Sequence, residues 1–292
     1  MKSHSNCVIC NSPDYNIIFR ENEAQHQQIV KCQSCNLIYA HPKKKDASIQ
    51  KSKIRQFVSP LSEDEERVQK LYNKMSDYRK IHKHISNIKP NKGKLLDIGS
   101  SIGHFVNMFD KQGWEVEGLE PNYRYVAFAK EKYGLDLTPA TLESFNFEND
   151  SFDVVTMLHV IEHLVDPDLC LSRIYKILKP DGVLVIETPT YDTLLFKILG
   201  KRERNLSCNS HIYFFTLNTL IRLLSKNNFR IIKKNRVGRT LSAEKLLLVL
   251  RQIHRRTSVD GFLKTFSRFF HLHKIKVYVN VGNILRAYCE KM

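Results

Sequence analysis

The sequence predicts a doubly wound α/β domain with a mostly parallel sheet, preceded by a small segment that resembles a zinc ribbon. Two observations carry this prediction. Short apolar runs alternate with amphipathic stretches of about a dozen residues, which is typical of strands and helices in a parallel sheet covered on both faces. Two Cys-x-x-Cys pairs stand near the start of the 292-residue chain, with a spacing close to that of structural zinc sites.

The first pair is Cys7 and Cys10, and the second is Cys32 and Cys35. Four thiolates in two such pairs can close a tetrahedron around zinc. Asn follows each pair, and after Gly it best tolerates the left-handed backbone that a metal knuckle needs. The alternative is that these cysteines are coincidental or redox-active. A zinc ion held here would be structural, because protein ligands fill all four positions.

The order of elements follows from turn residues and periodicity. The ribbon, residues 1–42, precedes a basic linker and a helix, residues 43–90, and the core occupies residues 91–236. Core strands are predicted at KLLDIG, WEVEGLE, SFDVVTML and VLVIETP, and helices at SIGHFVNMFDKQG, NYRYVAFAKEKYG and DPDLCLSRIYKILKPDG. Gly closes each of these helices. Sheets of this kind bind ligands at the carboxyl ends of their strands.

The net charge of +16 is unevenly distributed along the chain. Residues 91–200 carry ten Lys/Arg against seventeen Asp/Glu, whereas residues 201–292 carry twenty against four. A basic tail behind an acidic centre indicates that anions meet the tail rather than the centre. No apolar run reaches the roughly 18 residues that span a bilayer, and the N-terminus has no signal-peptide pattern. We therefore expect a cytoplasmic protein.

The turn in LLDIGSSIGHF is the most informative stretch of the core. Asp97 ends the first core strand, Gly99 permits a tight turn, and Gly103 lets the next helix pack closely. Ser101 and its neighbouring serine fill the middle, so there is no three-glycine cradle for a pyrophosphate. Glu120 ends the next strand, where a carboxylate can accept both ribose hydroxyls of a nucleoside. The acids and the negative centre favour a cationic nucleoside such as S-adenosylmethionine.

Four motifs in this order resemble the class I S-adenosylmethionine-dependent methyltransferases over roughly residues 70–236 and the last strand. They are LLDIGSSIGHF, EGLEPN, FDVVTMLHVIEHLVDP and LKPDGVLVIETP. The resemblance implies a Rossmann-like sheet of seven strands and S-adenosylmethionine as cofactor. It implies cofactor contacts by Asp97, Gly99, Ser101, Gly103 and Glu120, and it places Leu142 near the adenine. Ser101 stands where many members have Gly, and ATLESF lacks the usual Asp of its motif.

The stretch LHVIEHL places His159, Glu162 and His163 on one face if it begins a helix. Ubiquinone-pathway O-methyltransferases and small-RNA 2′-O-methyltransferases hold a divalent metal at this place. The resemblance therefore implies a second divalent metal at His159, Glu162, His163 and His211, with zinc favoured over magnesium. The alternative, which we favour, is that the stretch only lines the pocket. His159, His163 or His211 could serve as a catalytic base near neutral pH; for His211 the alternative is a surface histidine.

Residues 237–276 are predicted to form a basic amphipathic helical insertion, and residues 277–292 the last strand of the core sheet. Phenylalanines and basic residues alternate in DGFLKTFSRFFHLHKIK. Such a helix can cap the fold, or it can lie on an anionic membrane surface at the inner face of the membrane. Capping is favoured, because most amphipathic helices pack against a core.

The predicted function is methyl transfer from S-adenosylmethionine to a small-molecule, sugar or lipid-linked acceptor, at an oxygen, nitrogen or carbon that the sequence leaves open. A zinc ribbon fused to this fold resembles bacterial enzymes of surface-glycan, sugar and secondary-metabolite pathways. One alternative is an RNA methyltransferase whose basic tail and ribbon grip phosphates; the charges lack an identifiable aromatic stacking platform. The other alternative is a non-catalytic binding module on the same fold.

Overall fold

The computed structural model describes residues 6–20, 28–41, 68, 78–200, 210–242 and 275–292. The strands are β1 (Tyr15–Phe19), β2 (Gln28–Cys32), β3 (Ile38–His41), β4 (Lys94–Ile98), β5 (Glu115–Leu119), β6 (Phe152–Leu158), β7 (Leu178–Pro189), β8 (Tyr213–Phe214), β9 (Phe229–Ser242) and β10 (Lys276–Lys291). The helices are α1 (Tyr78–Ile88), α2 (His104–Asp110), α3 (Tyr123–Tyr133), α4 (Pro167–Ile177), α5 (Leu194–Leu199) and α6 (Leu217–Lys226). None of the helices in these ranges is long and apolar enough to cross a membrane.

The main sheet has six strands in the order β5-β4-β6-β7-β10-β9. Strands β5, β4, β6 and β7 pair in parallel, and β10 is antiparallel to both of its neighbours. This confirms the predicted Rossmann-like, mostly parallel sheet. The resemblance implied seven strands, and the described residues form six; beyond β5 they add a single parallel bridge between Leu119 and Thr138. Pro139 follows directly and has no N–H to extend the pairing.

Helices α3 and α4 begin at side-chain caps, and α3 also ends at its predicted glycine, whereas α4 ends at Ile177, before the predicted Gly182. The side chain of Asn122 accepts a hydrogen bond from the backbone N–H of Arg124 at the start of α3 (3.0 Å), and Gly134 ends that helix with φ +74°. Asp166 accepts from the N–H of Leu169 at the start of α4 (3.0 Å). These caps satisfy groups that have no partner within the helix. They hold the helices on both sides of the sheet, whose central strands are buried.

A second, smaller sheet joins the N-terminal segment to the core. Its order is β1-β2-β3-β8, and β8 belongs to the core sequence between α5 and α6. Ile38 of β3 pairs with Phe214, and Tyr39 pairs with Tyr213. The cysteine-bearing segment and the core also share one buried apolar cluster. The N-terminal segment is therefore built into the core rather than tethered to it.

Strand β9 extends into the predicted insertion, and β10 begins one residue before the predicted last strand, residues 277–292. Ser242 at the end of β9 pairs with Lys276 at the start of β10, so the predicted insertion at residues 237–276 begins in strand. The predicted amphipathic helix lies within residues 243–274, and most of the predicted linker and the start of its helix lie within residues 42–77; both are outside the described residues, apart from residue 68. Between Val279 and Ile284 the pairing shifts register. Gly238 faces this bulge, where a Cβ would lie 2.0 Å from the carbonyl oxygen of Val279.

Candidate active site

The turn after β4 adopts a conformation that needs its glycines. Gly99 and Gly103 have φ of +78° and +73°, a region that L-residues rarely occupy. A Cβ on residue 99 would lie 2.5 Å from Cγ2 of Val160. Ser101 also has a positive φ, +51°, which explains why glycine is common at its position in the resembling family. The turn therefore lies directly against the 159–163 stretch that follows β6.

Glu120 closes the other side of this turn. It follows β5 and is only 7% exposed. Its Oε2 accepts from the backbone N–H of Ser101 (2.9 Å) and its Oε1 from that of Asn122 (2.8 Å). Burial raises its pKa to about 7, although the two hydrogen bonds oppose that rise. The carboxylate thus points toward the glycine turn, and each oxygen retains acceptor capacity beyond its one backbone bond.

Asp97 lies at the end of β4, beneath the same turn. It is 3% exposed, and its Oδ1 accepts a hydrogen bond of 2.6 Å from the hydroxyl of Thr156 on β6. Burial raises the pKa of Asp97 to about 7 against the effect of that bond, and the nearby carboxylate of Glu120 adds to the rise. Two buried acids therefore flank the turn, an arrangement that suits a ligand with positive charge.

The 159–163 stretch does not begin a helix. Residues Ile161–His163 form one 3₁₀ turn, and His159 has φ +59°. The expected alignment of His159, Glu162 and His163 on one helical face is therefore wrong. The reversal at His159 follows the end of β6, where its N–H bonds to the carbonyl of Glu187 at 2.7 Å.

His159 lies between two buried carboxylates. Its Nε2 is 3.2 Å from Oε1 of Glu187, and its Nδ1 is 3.5 Å from Oε1 of Glu162. Arg286 on β10 also pairs with Glu187, with both Nε and Nη2 2.6 Å from Oε2. Burial alone would lower the pKa of His159, but the bonds to Glu162 and Glu187 outweigh it and raise the pKa to about 9. His159 is therefore a cation at neutral pH and does not suit the predicted role of base.

This charge state predicts a pH-dependent contribution to stability. Because the pKa of His159 is raised from an ordinary value of about 6.5 to about 9, its contribution is complete below about pH 6.5 and is lost as the pH rises through about 9. We expect the loss of unfolding free energy in His159→Gln to be about 2 kcal/mol larger at about pH 6 than at about pH 10. Urea unfolding at both pH values measures it; an equal loss at both would contradict the assignment.

A second group of polar side chains lies beside His159. Ligand atoms of Glu162, His163 and His211 all lie within 4.8 Å of one another. Nδ1 of His163 donates to the carbonyl of Ser210 (2.8 Å), and the rings of His163 and His211 are 4.7 Å apart. The predicted four-residue set is thus reduced to three, because His159 is held by Glu187 instead. His211 is 7% exposed, so the reading of it as a surface histidine is wrong.

Glu162 carries a full negative charge within this group. Burial would raise its pKa, but the imidazole of His159, 3.5 Å from Oε1, and the nearby rings of His163 and His211 lower it to about 2. Its Oε2 accepts from the hydroxyl of Thr188 (2.9 Å). Its Oε1 is buried and has no hydrogen bond to any described residue.

The four cysteines of the N-terminal segment also converge. Sγ of Cys7 is 3.4 Å from that of Cys35, and Sγ of Cys10 is 3.5 Å from that of Cys32. All four sulfurs lie within 4.8 Å of one another. The residues after the pairs, Asn11 and Asn36, adopt φ of +59° and +63°, as expected for knuckles. Four convergent thiols on two turns match the donor set of a structural zinc site.

Comparison with protein families decides the class of the core. A family model described as "Methyltransferase domain" matches residues 64–234. The chain belongs to this family. The family is that of the class I S-adenosylmethionine-dependent methyltransferases.

Curated relatives of this methyltransferase carry different names. The tRNA U34 carboxymethyltransferase of Ruthia magnifica subsp. Calyptogena magnifica is 30% identical over 174 residues, 56% of this chain and 54% of that protein. The ubiquinone biosynthesis O-methyltransferase of Bradyrhizobium sp. (strain ORS 278) is 33% identical over 100 residues, 32% of this chain and 39% of that protein. The chain thus spans about half the length, or less, of these relatives, and their names leave the acceptor class open.

Solved structures include a S-adenosylmethionine-dependent methyltransferase from Archaeoglobus fulgidus. Its sequence identity is 19%, its TM-score is 0.49, and the alignment covers 73% of this chain and 92% of that one.

The structure brings most of the predicted site residues of the methyltransferase together. Asp97, Gly99, Ser101 and Glu120 surround one turn, and Gly103 begins α2 directly after it. Leu142 is buried at the start of a 3₁₀ turn, where its carbonyl accepts from Arg173 (2.9 Å). Sequence reasoning missed Thr156, Thr188, Glu187 and Arg286, which support the site. For Thr156, Thr188 and Glu187, the one signal in the sequence was their position near the carboxyl ends of two predicted strands.

Proposed function

We propose that this methyltransferase transfers a methyl group to a hydroxyl of a small-molecule, sugar or lipid-linked acceptor. The observation that carries the proposal is the group formed by Glu162, His163 and His211. Glu162 and His163 belong to the stretch that contacts the glycine turn, since residue 99 leaves no room for a Cβ beside Val160, and His211 lies beside them. Donor and acceptor ends of the site are therefore adjacent, as an in-line transfer requires.

The donor end consists of the residues around the glycine turn, together with Leu142. The two oxygens of Glu120 each use one backbone N–H and keep a lone pair, which fits the two vicinal hydroxyls of a ribose. The buried acids Asp97 and Glu120 fit the positive charge of the donor. When bound, S-adenosylmethionine supplies a methyl group on a cationic sulfur, already activated for displacement.

At the acceptor end, His163 is the group best placed to take a proton. Because Nδ1 donates to the carbonyl of Ser210, the neutral ring has its lone pair on Nε2. The anionic Glu162 stabilises the imidazolium that forms when Nε2 accepts a proton from the hydroxyl. His159, already protonated, holds Glu162 and Glu187 in place and takes no proton itself.

The same three residues fit a divalent cation. One buried oxygen of Glu162 has no hydrogen bond within the described chain, and two imidazoles lie beside it. A mixed set of nitrogen and oxygen ligands suits a borderline metal such as zinc. With such an ion bound, Nε2 of His163 would be a ligand instead of a base, and the ion would lower the pKa of an acceptor hydroxyl. We further propose that the four cysteines hold a separate, structural zinc ion.

The donor end is tested by Glu120→Gln. The amide offers one acceptor atom, so one ribose contact is lost and one backbone N–H of the turn has no acceptor. We expect the Kd for S-adenosylmethionine to rise at least about tenfold in calorimetric titration. The matched control is Glu117→Gln, three residues earlier and on β5, where the carboxylate pairs with Lys94 instead. Equal affinities in both variants would remove Glu120 from the donor site.

The acceptor class is tested by incubating the enzyme with S-adenosylmethionine and three separate pools. The pools are phenols and nucleotide sugars, polyprenyl-linked sugars, and bulk tRNA, with products identified by mass spectrometry. We expect a methyl group on a hydroxyl in one of the first two pools. Methylation confined to tRNA would overturn the proposal.

RNA is the second candidate because one relative is named a tRNA carboxymethyltransferase and because residues 201–292 are strongly basic. The structure weakens this candidate on β9, where three cations have partners within the protein. Arg230 pairs with Glu290, Arg236 with Asp192, and Lys233 with the ring of His84.

A further inference from the structure

The chain segment 210–215 lies between the cysteine segment and the acceptor end of the site. On one side, the carbonyl of Ile212 accepts from the N–H of Ala40 (2.8 Å), and β8 pairs with β3. On the other side, the N–H of Ile212 donates to the carbonyl of Glu162 (2.8 Å). Ile212 therefore connects the two parts through its two backbone groups, and His211 is the residue next to it.

Two further bonds fix this arrangement. The carbonyl of Ser210 accepts from the ring of His163 (2.8 Å), and the hydroxyl of Tyr213 donates to the carbonyl of Val165 (3.2 Å). Both tie segment 210–215 to the stretch that carries Glu162. The position of His211 relative to His163 thus depends on where this segment lies.

The cysteine segment is anchored to the core at a second point. Nζ of Lys226, at the end of α6, donates to the carbonyl of Val8 between the first two cysteines (2.6 Å) and pairs with Asp168. Cys7, Cys32 and Cys35 are buried in the same apolar cluster as Ile212 and Ile161. A shift of the cysteine knuckles would therefore be transmitted to β3 and to the site.

We propose that the four-cysteine segment is a positioning element of the acceptor site. Linking the four thiolates through one metal ion fixes the Cys32–Cys35 turn, which connects β2 to β3. Strand β3 in turn holds β8 and Ile212, and so sets His211 against His163 and Glu162. This inference rests on the proposed function, because it assigns the acceptor end to those three residues.

The alternative is that the segment only adds stability to the whole fold. The positioning role and the stabilising role differ in which parts of the protein change when the metal is lost. A positioning element changes segment 210–215 and the 159–164 stretch, but leaves the glycine turn and cofactor binding as they were. A general stabiliser changes all of them together.

The experiment compares the wild-type chain with Cys10→Ser, which removes the one exposed cysteine of the four. Native mass spectrometry reports zinc content, hydrogen exchange reports each peptide, and calorimetry reports binding of S-adenosylmethionine. We expect the variant to hold one zinc ion fewer than the wild type. Exchange in residues 210–216 should become about tenfold faster, whereas exchange in residues 94–103 and the Kd should stay within about twofold.

A second variant, Lys226→Met, breaks the anchor at Val8 without touching a cysteine. We expect zinc to be retained and exchange in residues 210–216 to rise in the same direction by about threefold. Lys130→Met is the matched control, since Lys130 pairs with Asp136 on the surface of the core. If Cys10→Ser does not fold, the comparison of these two lysine variants decides the question.

Unchanged exchange in residues 210–216 when zinc is lost would overturn the proposal, and so would equal acceleration of every peptide. These failures are distinct from failure of the proposed function. A wild-type chain that does not bind S-adenosylmethionine, or that methylates only tRNA, would refute the proposed function. The exchange result would still show whether the cysteine segment controls residues 210–216.

Discussion

Replacing His163 by Gln should lower kcat for methyl transfer by about a hundredfold and leave the Kd for S-adenosylmethionine unchanged. Glutamine has a similar size and an amide donor, which lies one bond farther from Cβ than Nδ1, so we expect the local fold to be kept. It cannot accept a proton at a useful pKa, and it is a poor metal ligand. The loss therefore falls on the chemical step. Steady-state kinetics with the acceptor identified from the three pools measures it, and calorimetry measures the Kd.

The matched control for this prediction is His84→Gln. His84 lies on α1 with its ring 4.4 Å from that of Tyr288 and contacts Lys233, away from the Glu162 group. We expect its kcat to stay within about twofold of wild type. An unchanged kcat in His163→Gln would exclude His163 as base and as ligand. An increase in Kd with kcat unchanged would move His163 to the donor end.

The second large effect is expected on stability, from Arg286→Met. Arg286 and Glu187 are 2% and 3% exposed, and the substitution leaves the carboxylate of Glu187 buried without its strongest partner. Breaking a buried pair from one side costs about 3 kcal/mol or more. Because His159 still contacts Glu187 at 3.2 Å in this variant, we expect the loss of unfolding free energy to be about 3 kcal/mol, at the lower end of this range. Urea unfolding followed by circular dichroism measures this free energy.

Arg230→Met serves as the control, because Arg230 also pairs with a glutamate across β9 and β10 but is largely exposed. An exposed pair contributes at most about 1 kcal/mol. Losses of similar size in the two variants would show that the Glu187–Arg286 pair contributes no more than a surface pair. If Arg286→Met fails to fold, the double change of Arg286 to Met and Glu187 to Gln should restore folding, because no uncompensated charge is then buried.

The parallel strands could be predicted from the sequence because each is a short apolar run followed by a turn residue. The core strand predicted at KLLDIG matches β4, and SFDVVTML matches β6 within one residue. The start of β7 was placed too late, because LKPDG has the composition of a turn yet pairs as strand from Leu178. Composition alone does not show that a neighbouring strand accepts those residues.

The candidate site was predictable where it depends on one turn and less so where it depends on distant contacts. The residues of the glycine turn and Glu120 follow directly from local patterns. The ion pair between His159 and Glu187 could not be predicted from the sequence, because it joins the ends of β6 and β7 and needs the positive φ of His159. The pairing of β8 with β3 was equally hidden, since a two-residue strand has no periodicity to detect.

The facing ends of β9 and β10 have a consequence for how this enzyme can diversify. Ser242 and Lys276 are paired neighbours, so the two strand ends that flank the intervening sequence lie side by side. The bulge at Gly238 separates these paired strand ends from the part of β10 that pairs with β7. Because the flanking strand ends are already paired with each other, we expect changes in length between them to leave the pairing of β10 with β7, and with it the parallel strands, unchanged.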